Sequence, residues 1–121
     1  MPIILESEGQ SLQIQSDAQG ACHLIWVGRD APSMDLGEDE TEDLCARLVT
    51  SLERALSEEF TVVGSIEGVP VLHLLALERT MIYLSMDQRH LYVQDDENNP
   101  IGELAVDRES LNAWTTDLRR G

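Results

Sequence analysis

The stretch "FTVVGSIEGVPVLHLLALERTMIYLSMDQRHLYVQDDENNPIGELAV", residues 60–106, decides the fold of this chain. Short apolar runs in it alternate with turn-forming residues, and this pattern predicts strands joined by tight turns. The turns are expected at Glu67-Gly68, at Arg79-Thr80, from Asp87 to Arg89 and from Asp95 to Pro100. Because connections this short make neighbouring strands antiparallel, the stretch predicts a five-stranded antiparallel meander.

The part of the chain before this meander changes its periodicity once. Alternating apolar and polar residues from Ile3 to Val27 predict three strands, and residues 28–37, which include glycines and a proline, predict a loop. From about Asp39 to Glu58 the period is that of an amphipathic helix, with Asp39 as its expected cap. The buried stripe of this helix is expected to consist of leucines spaced four residues apart: Leu44, Leu48, Leu52 and Leu56.

A second helix closes the chain. It is expected to begin near Asp107, a suitable N-cap residue, and to bury Leu111, Trp114 and Leu118 along one stripe. With 121 residues and no visible linker or internal repeat, the chain predicts a single domain, residues 1–121. The expected fold class is α+β: an antiparallel sheet, made of the three N-terminal strands and the meander, with both helices packed on one face.

The charge of the chain is its most unusual property. It has 23 acidic and eight basic residues, a formal net charge of −15, and no lysine. The lack of an ammonium side chain excludes a Walker A phosphate loop, a Schiff-base enzyme and a lysine general base. Negative charge also disfavours direct binding to nucleic acid and to anionic membranes, since both need cationic side chains. We therefore expect a basic protein partner, with adaptation to high salt as the alternative explanation.

Two features bear on the compartment of the protein. The first ten residues, "MPIILESEGQ", lack the basic segment and long apolar run of an export signal. The longest apolar run, from Gly68 to Leu77, is shorter than the roughly 20 residues of a membrane-spanning helix. These features predict a cytoplasmic protein, in which Cys22 and Cys45 are expected to be buried free thiols.

The chain has two acidic segments. The first, "DLGEDETED" at residues 35–43, carries six carboxylates in nine residues, and the second, "DDE", follows at residues 95–97. Carboxylates in a first helical turn are stabilised by the helix dipole, so part of the first segment has a purely structural explanation. Like charges this close repel one another, however, and an opposing basic surface would relieve that repulsion. The predicted partner-binding residues are Asp35, Glu38, Asp39, Glu40, Glu42, Asp43, Asp95, Asp96 and Glu97.

Neither acidic segment has the spacing of an EF-hand calcium loop. A loop that starts at Asp35 places Glu40 at the glycine position, and one that starts at Asp95 places Pro100 there. Residues 94–100 are better explained as a hairpin turn, with a non-standard calcium site as the alternative.

Four other side chains offer zinc ligands or nucleophiles: Cys22, His23, Cys45 and His73. None stands in a paired spacing, and Cys22 and His23 are neighbours on a strand, so they face opposite sides. His73 lies within an apolar run and is expected to be a core histidine. We therefore predict no metal, no cofactor and no catalytic residue, and an enzyme built on Cys45 and His73 is the alternative.

These observations favour a non-catalytic protein-binding module. Its most concrete version is an inhibitor of the immunity-protein type, whose carboxylates replace the phosphates that a basic, nuclease-like partner normally contacts. Three alternatives stay open: a chaperone or adaptor for an exported effector, a DNA mimic, and a small-ligand or metal-dependent enzyme. Affinity that falls steeply with salt would favour the inhibitor, and affinity with a shallow salt dependence would favour the adaptor.

Overall fold

The computed structural model describes residues 3–29, 32–39, 44–59 and 61–120. Within these residues the chain forms nine strands and two helices, so the α+β class is confirmed. The strands form two antiparallel sheets, of four and five strands, where the sequence predicted one continuous sheet. No helix in the described part of the chain is long and apolar enough to cross a membrane.

Both sheets keep the order of the chain, and a helix follows each of them. The first sheet contains β1 (Ile3–Ser7), β2 (Gln10–Ser16), β3 (Cys22–Val27) and β4 (Met34–Asp39), and helix α1 (Leu44–Leu56) follows. The second sheet contains β5 (Gly64–Ile66), β6 (Val69–Leu77), β7 (Thr80–Ser85), β8 (His90–Asp95) and β9 (Pro100–Ala105), and helix α2 (Arg108–Arg120) comes last.

Strand β4 occupies the end of the predicted loop and the predicted start of the long helix. Leu36 faces the core and is 6% exposed, while the neighbouring Asp35 is exposed. Asp39 pairs with Cys22 across the β3–β4 ladder, so it belongs to a strand and not to the long helix as predicted. The described part of α1 begins at Leu44, and the predicted cap lies against residues outside the described part of the chain. A strand that buries a single apolar residue has too short an alternation to be recognised in the sequence.

The five-stranded meander is confirmed, with one turn displaced by a residue. The turn between β6 and β7 lies at Glu78-Arg79, because Thr80 already belongs to β7. Thr80 is 3% exposed, and its hydroxyl donates a hydrogen bond to the backbone carbonyl of Leu36 at 2.9 Å. The residue expected in the turn is thus a buried link between the second sheet and β4 of the first.

The two halves of the chain have the same architecture. Strands β1–β4 with α1 correspond to β6–β9 with α2, and each helix has 13 described residues. Each helix packs on the first strand of the other half, α1 on β6 and α2 on β1, and the helices pack on each other. The last strand of each half also contacts the first strand of the other, β4 with β6 and β9 with β1. These contacts of each half with the first strand of the other half join the two halves. The similarity of the halves is structural, because no repeat is visible in the sequence.

Side chains from both sheets and both helices form one hydrophobic core. The two helices bury one stripe each, as the sequence predicted from their periodicity. Leu56, which was predicted on the buried stripe of α1, is only partly buried, and Ala55 is buried beside it. The buried positions of the helices are Leu44, Leu48, Leu52 and Ala55 in α1, and Leu111, Trp114, Thr115 and Leu118 in α2.

The start of α2 follows the prediction. Asp107 Oδ1 accepts a hydrogen bond from the backbone N–H of Ser110 at 2.7 Å, and Ser110 Oγ accepts one from the N–H of Asp107 at 3.0 Å. The bond from the Ser110 backbone holds the pKa of Asp107 below its usual range, because it stabilises the ionised carboxylate. Arg108 then ties the helices together by donating a hydrogen bond to the carbonyl of Leu56 at 2.7 Å.

A tryptophan and a glycine fix how closely the two sheets approach. Trp26 of β3 is 5% exposed, and a Cβ atom added at Gly102 of β9 would lie 2.2 Å from its ring carbon Cζ2. Only glycine fits at position 102, because the indole ring lies against the backbone there.

Candidate functional site

A surface lined by carboxylates lies where β4 of the first sheet meets the β6–β7 turn and the end of β8 in the second. It encloses about 470 Å³. We call it the acidic cleft. Four carboxylates and one guanidinium line it: Asp35, Glu38, Glu78, Asp95 and Arg79.

A β-bulge brings two carboxylates of β4 to the same histidine. Residues three apart on a regular strand point to opposite faces. The register of the β3–β4 ladder shifts between the pairs at Asp35 and Gly37, which leaves Leu36 without a pairing partner. Gly37 has a φ of 146°, a conformation that side chains rarely adopt. Asp35 and Glu38 therefore both reach His23 on β3.

His23 lies among three carboxylates, two from β4 and one from the turn after β2. Its Nδ1 is 2.9 Å from Asp35 Oδ2, and its Nε2 is 2.8 Å from Asp17 Oδ2 in the turn after β2. The same Nε2 lies 3.6 Å from Glu38 Oε2. The imidazole is 23% exposed, so it is accessible from the cleft while its position is set by these neighbours.

The backbone holds two of these carboxylates in place. Asp17 Oδ1 accepts hydrogen bonds from the N–H groups of Gln19 and Ala21 at 2.8 and 3.0 Å. Asp35 Oδ1 accepts one from the N–H of Gly37 at 3.0 Å. In each case one oxygen is fixed by the local turn and the other is directed at His23, so the geometry is preorganised.

The ionisation of Asp17 and His23 is linked by their shared hydrogen bond. This bond holds the pKa of Asp17 below its usual range. It also raises the pKa of His23, a shift that partial desolvation of the ring opposes and Asp35 reinforces. Carboxylates stabilise the charged form of a neighbouring imidazole, so this group attracts positive charge.

The second sheet completes the cleft. The hydrogen bond from Thr80 to Leu36 fixes the start of β7 on β4. Glu78, in the turn just before it, has a φ of 50°. Its Oε1 lies 3.5 Å from the backbone nitrogen of Glu38, which places its carboxylate beside the first acidic segment.

Asp95 lines the cleft, but its own turn uses its carboxylate. Oδ1 accepts hydrogen bonds from the N–H groups of Glu97 and Asn99 at 2.9 and 2.8 Å, and Oδ2 accepts one from the Asn99 side chain at 3.0 Å. The bond from the Asn99 backbone lowers the pKa of Asp95. The turn predicted for residues 95–100 is therefore present, and Asp95 stabilises it.

The structure divides the predicted partner-binding residues into separate groups. Asp35, Glu38 and Asp95 meet in the acidic cleft. Asp39 belongs to β4. Exposed positions in the turn after β8 are occupied by Asp96 and Glu97. The remaining predictions lie outside the described residues: Glu40, Glu42 and Asp43.

Sequence reasoning missed Asp17, His23 and Glu78 as parts of one site. The predicted β2–β3 hairpin could have placed Asp17 near His23, because residues that flank a tight turn lie close together. The chain offers no comparable pattern for Glu78, which lies 40 residues from Glu38 and reaches it by packing of the two sheets.

His73 is not the core histidine that the sequence predicted. It is exposed on the outer face of the second sheet, where its ring makes an edge contact with Tyr83 at a centroid distance of 5.7 Å. A register shift after His73 lets Leu72, Leu74 and Leu75 all be buried while the imidazole points outward. The prediction failed because it assumed regular alternation along β6.

The cysteines are free thiols, as predicted, but half-buried instead of fully buried. Cys22 and Cys45 line one cleft beside α1, whereas His73 lines a groove on the second sheet. Desolvation raises the pKa of Cys45, which lowers its population of reactive thiolate.

The groove that contains His73 is larger and more apolar than the acidic cleft. It encloses about 790 Å³ on the outer face of the second sheet. Its apolar lining residues are Val63, Ile66, Val71, Met81 and Tyr83, and we call it the apolar groove. The acidic cleft is the better candidate for chemistry or ionic recognition, because carboxylates from several elements converge there.

Comparison of the chain with protein-family models, with curated proteins and with solved structures finds no match. The geometry of the described residues is therefore the basis for the functional proposal.

Proposed function

We propose that the protein is a non-catalytic binding module for a basic protein partner, which it contacts through the acidic cleft. One observation carries the proposal: carboxylates from β4, the β6–β7 turn and the end of β8 line the same concave surface. Because these carboxylates are far apart in sequence, only the tertiary fold brings them together. A local turn or the start of a helix does not explain such an arrangement.

Electrostatics favours a cationic occupant. Four carboxylates line the cleft against one guanidinium, that of Arg79. The net charge of −15 adds a long-range attraction for a basic surface. Such a field speeds association, and its effect falls as salt screens it.

The inhibitor version of this function follows from the chemistry of carboxylates. Guanidinium groups bind carboxylates with paired hydrogen bonds, as they bind phosphates. A nuclease-like partner with a cationic active site could place an arginine or lysine against Asp35, Glu38 and Glu78. The partner would then be blocked at the residues that normally contact phosphate. Such an inhibitor would act where its partner is made, in the cytoplasm predicted from the sequence.

The apolar groove supports a second candidate function, that of a chaperone or adaptor. Its lining includes Val63, which is 57% exposed, and Val62 and Met86 are also exposed apolar residues, at 44% and 50%. An extended apolar segment of an exported effector is the kind of ligand that such a surface would hold. Binding there would depend weakly on salt, because burial of apolar area would supply most of the affinity.

Capture of partners by the native protein and two matched variants tests the proposal. The cleft variant carries Glu38→Gln and Glu78→Gln, and the control carries Asp96→Asn and Glu97→Gln, so both lose two charges. At about 50 mM salt we expect the native protein and the control to retain a basic protein, which the cleft variant or about 200 mM salt releases.

Two other results would contradict binding through the cleft. Equal loss of the partner from both variants would show that overall charge controls binding. Retention by all three proteins at both salt concentrations would place the contact on an apolar surface and favour the adaptor.

A further inference from the structure

Three potential metal ligands converge beside the acidic cleft. His23 Nε2, Asp17 Oδ2 and Glu38 Oε2 belong to a set of donor atoms that all lie within 4.8 Å of one another. The histidine is on β3, the aspartate is in the turn after β2, and the glutamate is on β4. Neighbouring strands and a short turn hold these three side chains close together. They could therefore bind one ion without a large rearrangement of the backbone.

The separations of these atoms suit a small divalent ion. Metal–nitrogen and metal–oxygen distances of about 2.0–2.2 Å place the donors of a tetrahedral site about 3.3–3.5 Å apart. His23 Nε2 lies 2.8 Å from Asp17 Oδ2 and 3.6 Å from Glu38 Oε2. Both distances are close to the tetrahedral separation, so side-chain adjustments of a fraction of an ångström would admit the ion.

The contacts of His23 are compatible with a metal ion at Nε2. Carboxylate oxygens face both ring nitrogens, Asp35 at Nδ1 and Asp17 at Nε2. A neutral imidazole donates from only one nitrogen, so a ring that donates from Nδ1 to Asp35 leaves its Nε2 lone pair free to bind a metal ion beside Asp17. A proton there donates to one oxygen along the short contact, whereas a metal ion also coordinates Glu38, which faces the same nitrogen.

Asp35 occupies the place that outer carboxylates have in histidine metal sites. Metal-binding histidines generally donate the N–H of the other ring nitrogen to a carboxylate or carbonyl, which fixes the ring and makes it a stronger ligand. Asp35 Oδ2 lies 2.9 Å from His23 Nδ1, and Asp35 Oδ1 is itself held by the N–H of Gly37. The ring is thus oriented with Nε2 toward the two remaining carboxylates.

We propose that Asp17, His23 and Glu38 bind a divalent first-row transition-metal ion, for which zinc is the best match, and that Asp35 positions the imidazole. A nitrogen ligand and only three protein donors favour zinc over calcium, which prefers six to eight oxygens. Three protein ligands leave one tetrahedral position open for water or a further ligand. The contacts that support this site do not depend on partner binding, although Asp35 and Glu38 belong to both surfaces.

Titration calorimetry of the full chain with a zinc salt tests this site. We expect one ion per chain, loss of binding in His23→Gln, and an affinity about 10–100-fold lower in Asp35→Asn, because an outer carboxylate tunes its ligand by that amount. His90→Gln is the matched control and should bind like the native protein, because His90 Nδ1 approaches one carboxylate, Glu103 Oε1, at 3.0 Å.

Nitrogen NMR shifts supply a second readout. Zinc should displace the Nε2 resonance of His23 and leave those of His73 and His90 in place. If His23→Gln fails to fold by circular dichroism, Asp17→Asn and Glu38→Gln replace it, and each is expected to weaken zinc binding at least about tenfold.

Several results would overturn the metal site. Undiminished zinc binding in His23→Gln, or binding lost only when Cys22 and Cys45 are replaced by serine, would place the ion elsewhere. Absence of saturable binding would leave the ring with a proton instead of a metal ion. Glu78→Gln separates the two functions: it should weaken partner binding without changing zinc affinity.

Discussion

The two acidic segments of the chain are similar in composition and differ in what their carboxylates bind. In the second segment, Asp95 accepts three hydrogen bonds, all from residues of its own turn. In the first segment, Asp35 and Glu38 approach His23 on a neighbouring strand. One segment therefore stabilises a local conformation, and the other brings separate elements together.

This difference shows that the density of acidic residues does not locate a site. A carboxylate that accepts hydrogen bonds from its own backbone has a structural role that needs no partner. Carboxylates that converge from distant elements onto a concave surface repel one another, and bound cations relieve that repulsion. The following predictions separate these two roles.

Charge reversal in the acidic cleft and in the second acidic segment should give the largest contrast. We expect Glu78→Lys in the cleft to weaken binding of the basic partner by about 100-fold, because like charges placed face to face cost several kcal/mol at an interface. Glu97→Lys, an exposed position of the second turn, should change affinity by less than about twofold. Surface plasmon resonance on the captured partner measures both, and similar losses would remove the distinction between the cleft and the exposed part of the second segment.

Substitution at the bulge should disrupt the first segment through its backbone. Gly37→Ala requires a side chain at a φ of 146° and places a Cβ atom 3.3 Å from Leu77 Cγ. We expect a loss of about 1–3 kcal/mol in the free energy of unfolding, the usual cost of a strained backbone position. Gly64→Ala is the control, because no atom lies within 4 Å of a Cβ there. Urea denaturation compares the two, and equal stability would mean that the bulge tolerates alanine.

Removal of Asp95, the first carboxylate of the second segment, should affect stability more than binding. Asp95→Ala deletes the acceptor of three turn hydrogen bonds, so we expect a modest fall in Tm, and a loss of partner affinity smaller than that in Glu78→Gln, because the turn already occupies this carboxylate. Asp96→Ala, in which an exposed neighbour is changed, should leave both properties unaltered. A loss of affinity in Asp95→Ala greater than that in Glu78→Gln would assign the second segment a direct binding role.

Acid should reveal the same structural role of Asp95. The folded-state pKa of Asp95 is lowered, chiefly by the backbone N–H of Asn99. The unfolded chain therefore binds a proton at Asp95 at a higher pH than the folded chain does. The stabilisation that ionised Asp95 contributes to the fold is complete above about pH 4, and it is lost as the pH falls through the pKa of Asp95 in the folded state. Urea denaturation between about pH 5 and pH 3 should show a smaller stability loss in Asp95→Asn. If the free energy of unfolding fell equally with pH in the native protein and in Asp95→Asn, the structural role of the Asp95 carboxylate would be contradicted.

Local patterns made much of the fold predictable. The Asp107 cap, the buried stripe of α2 and the turn at Asp95 depend on residues within a few positions of one another, and all three are present. The predictions failed where register changed. The bulge at Leu36 interrupts the alternation of β4, and the register shift after His73 turns that histidine outward. Neither irregularity has a periodic pattern in the sequence, so neither could be predicted from it.

The acidic cleft could be predicted only in part. Composition identified Asp35 and Glu38 as candidates, but their meeting with Glu78 depends on the buried bond from Thr80 to Leu36, across 44 residues of chain. The role of His23 likewise depends on Asp17 and the β4 bulge acting together. Tertiary contacts of this kind leave no spacing pattern in a single sequence.

The central claim, that the cleft and not the overall charge receives the basic partner, is tested most directly by NMR titration. An arginine-rich peptide would be added to nitrogen-15-labelled protein at about 150 mM salt, where exposed charges are largely screened beyond about 8 Å. We expect the largest amide shifts at Asp35, Glu38 and Glu78, with Asp96 and Glu97 nearly unchanged. Shifts spread evenly over all exposed acidic residues, or largest at Asp96 and Glu97, would contradict the claim.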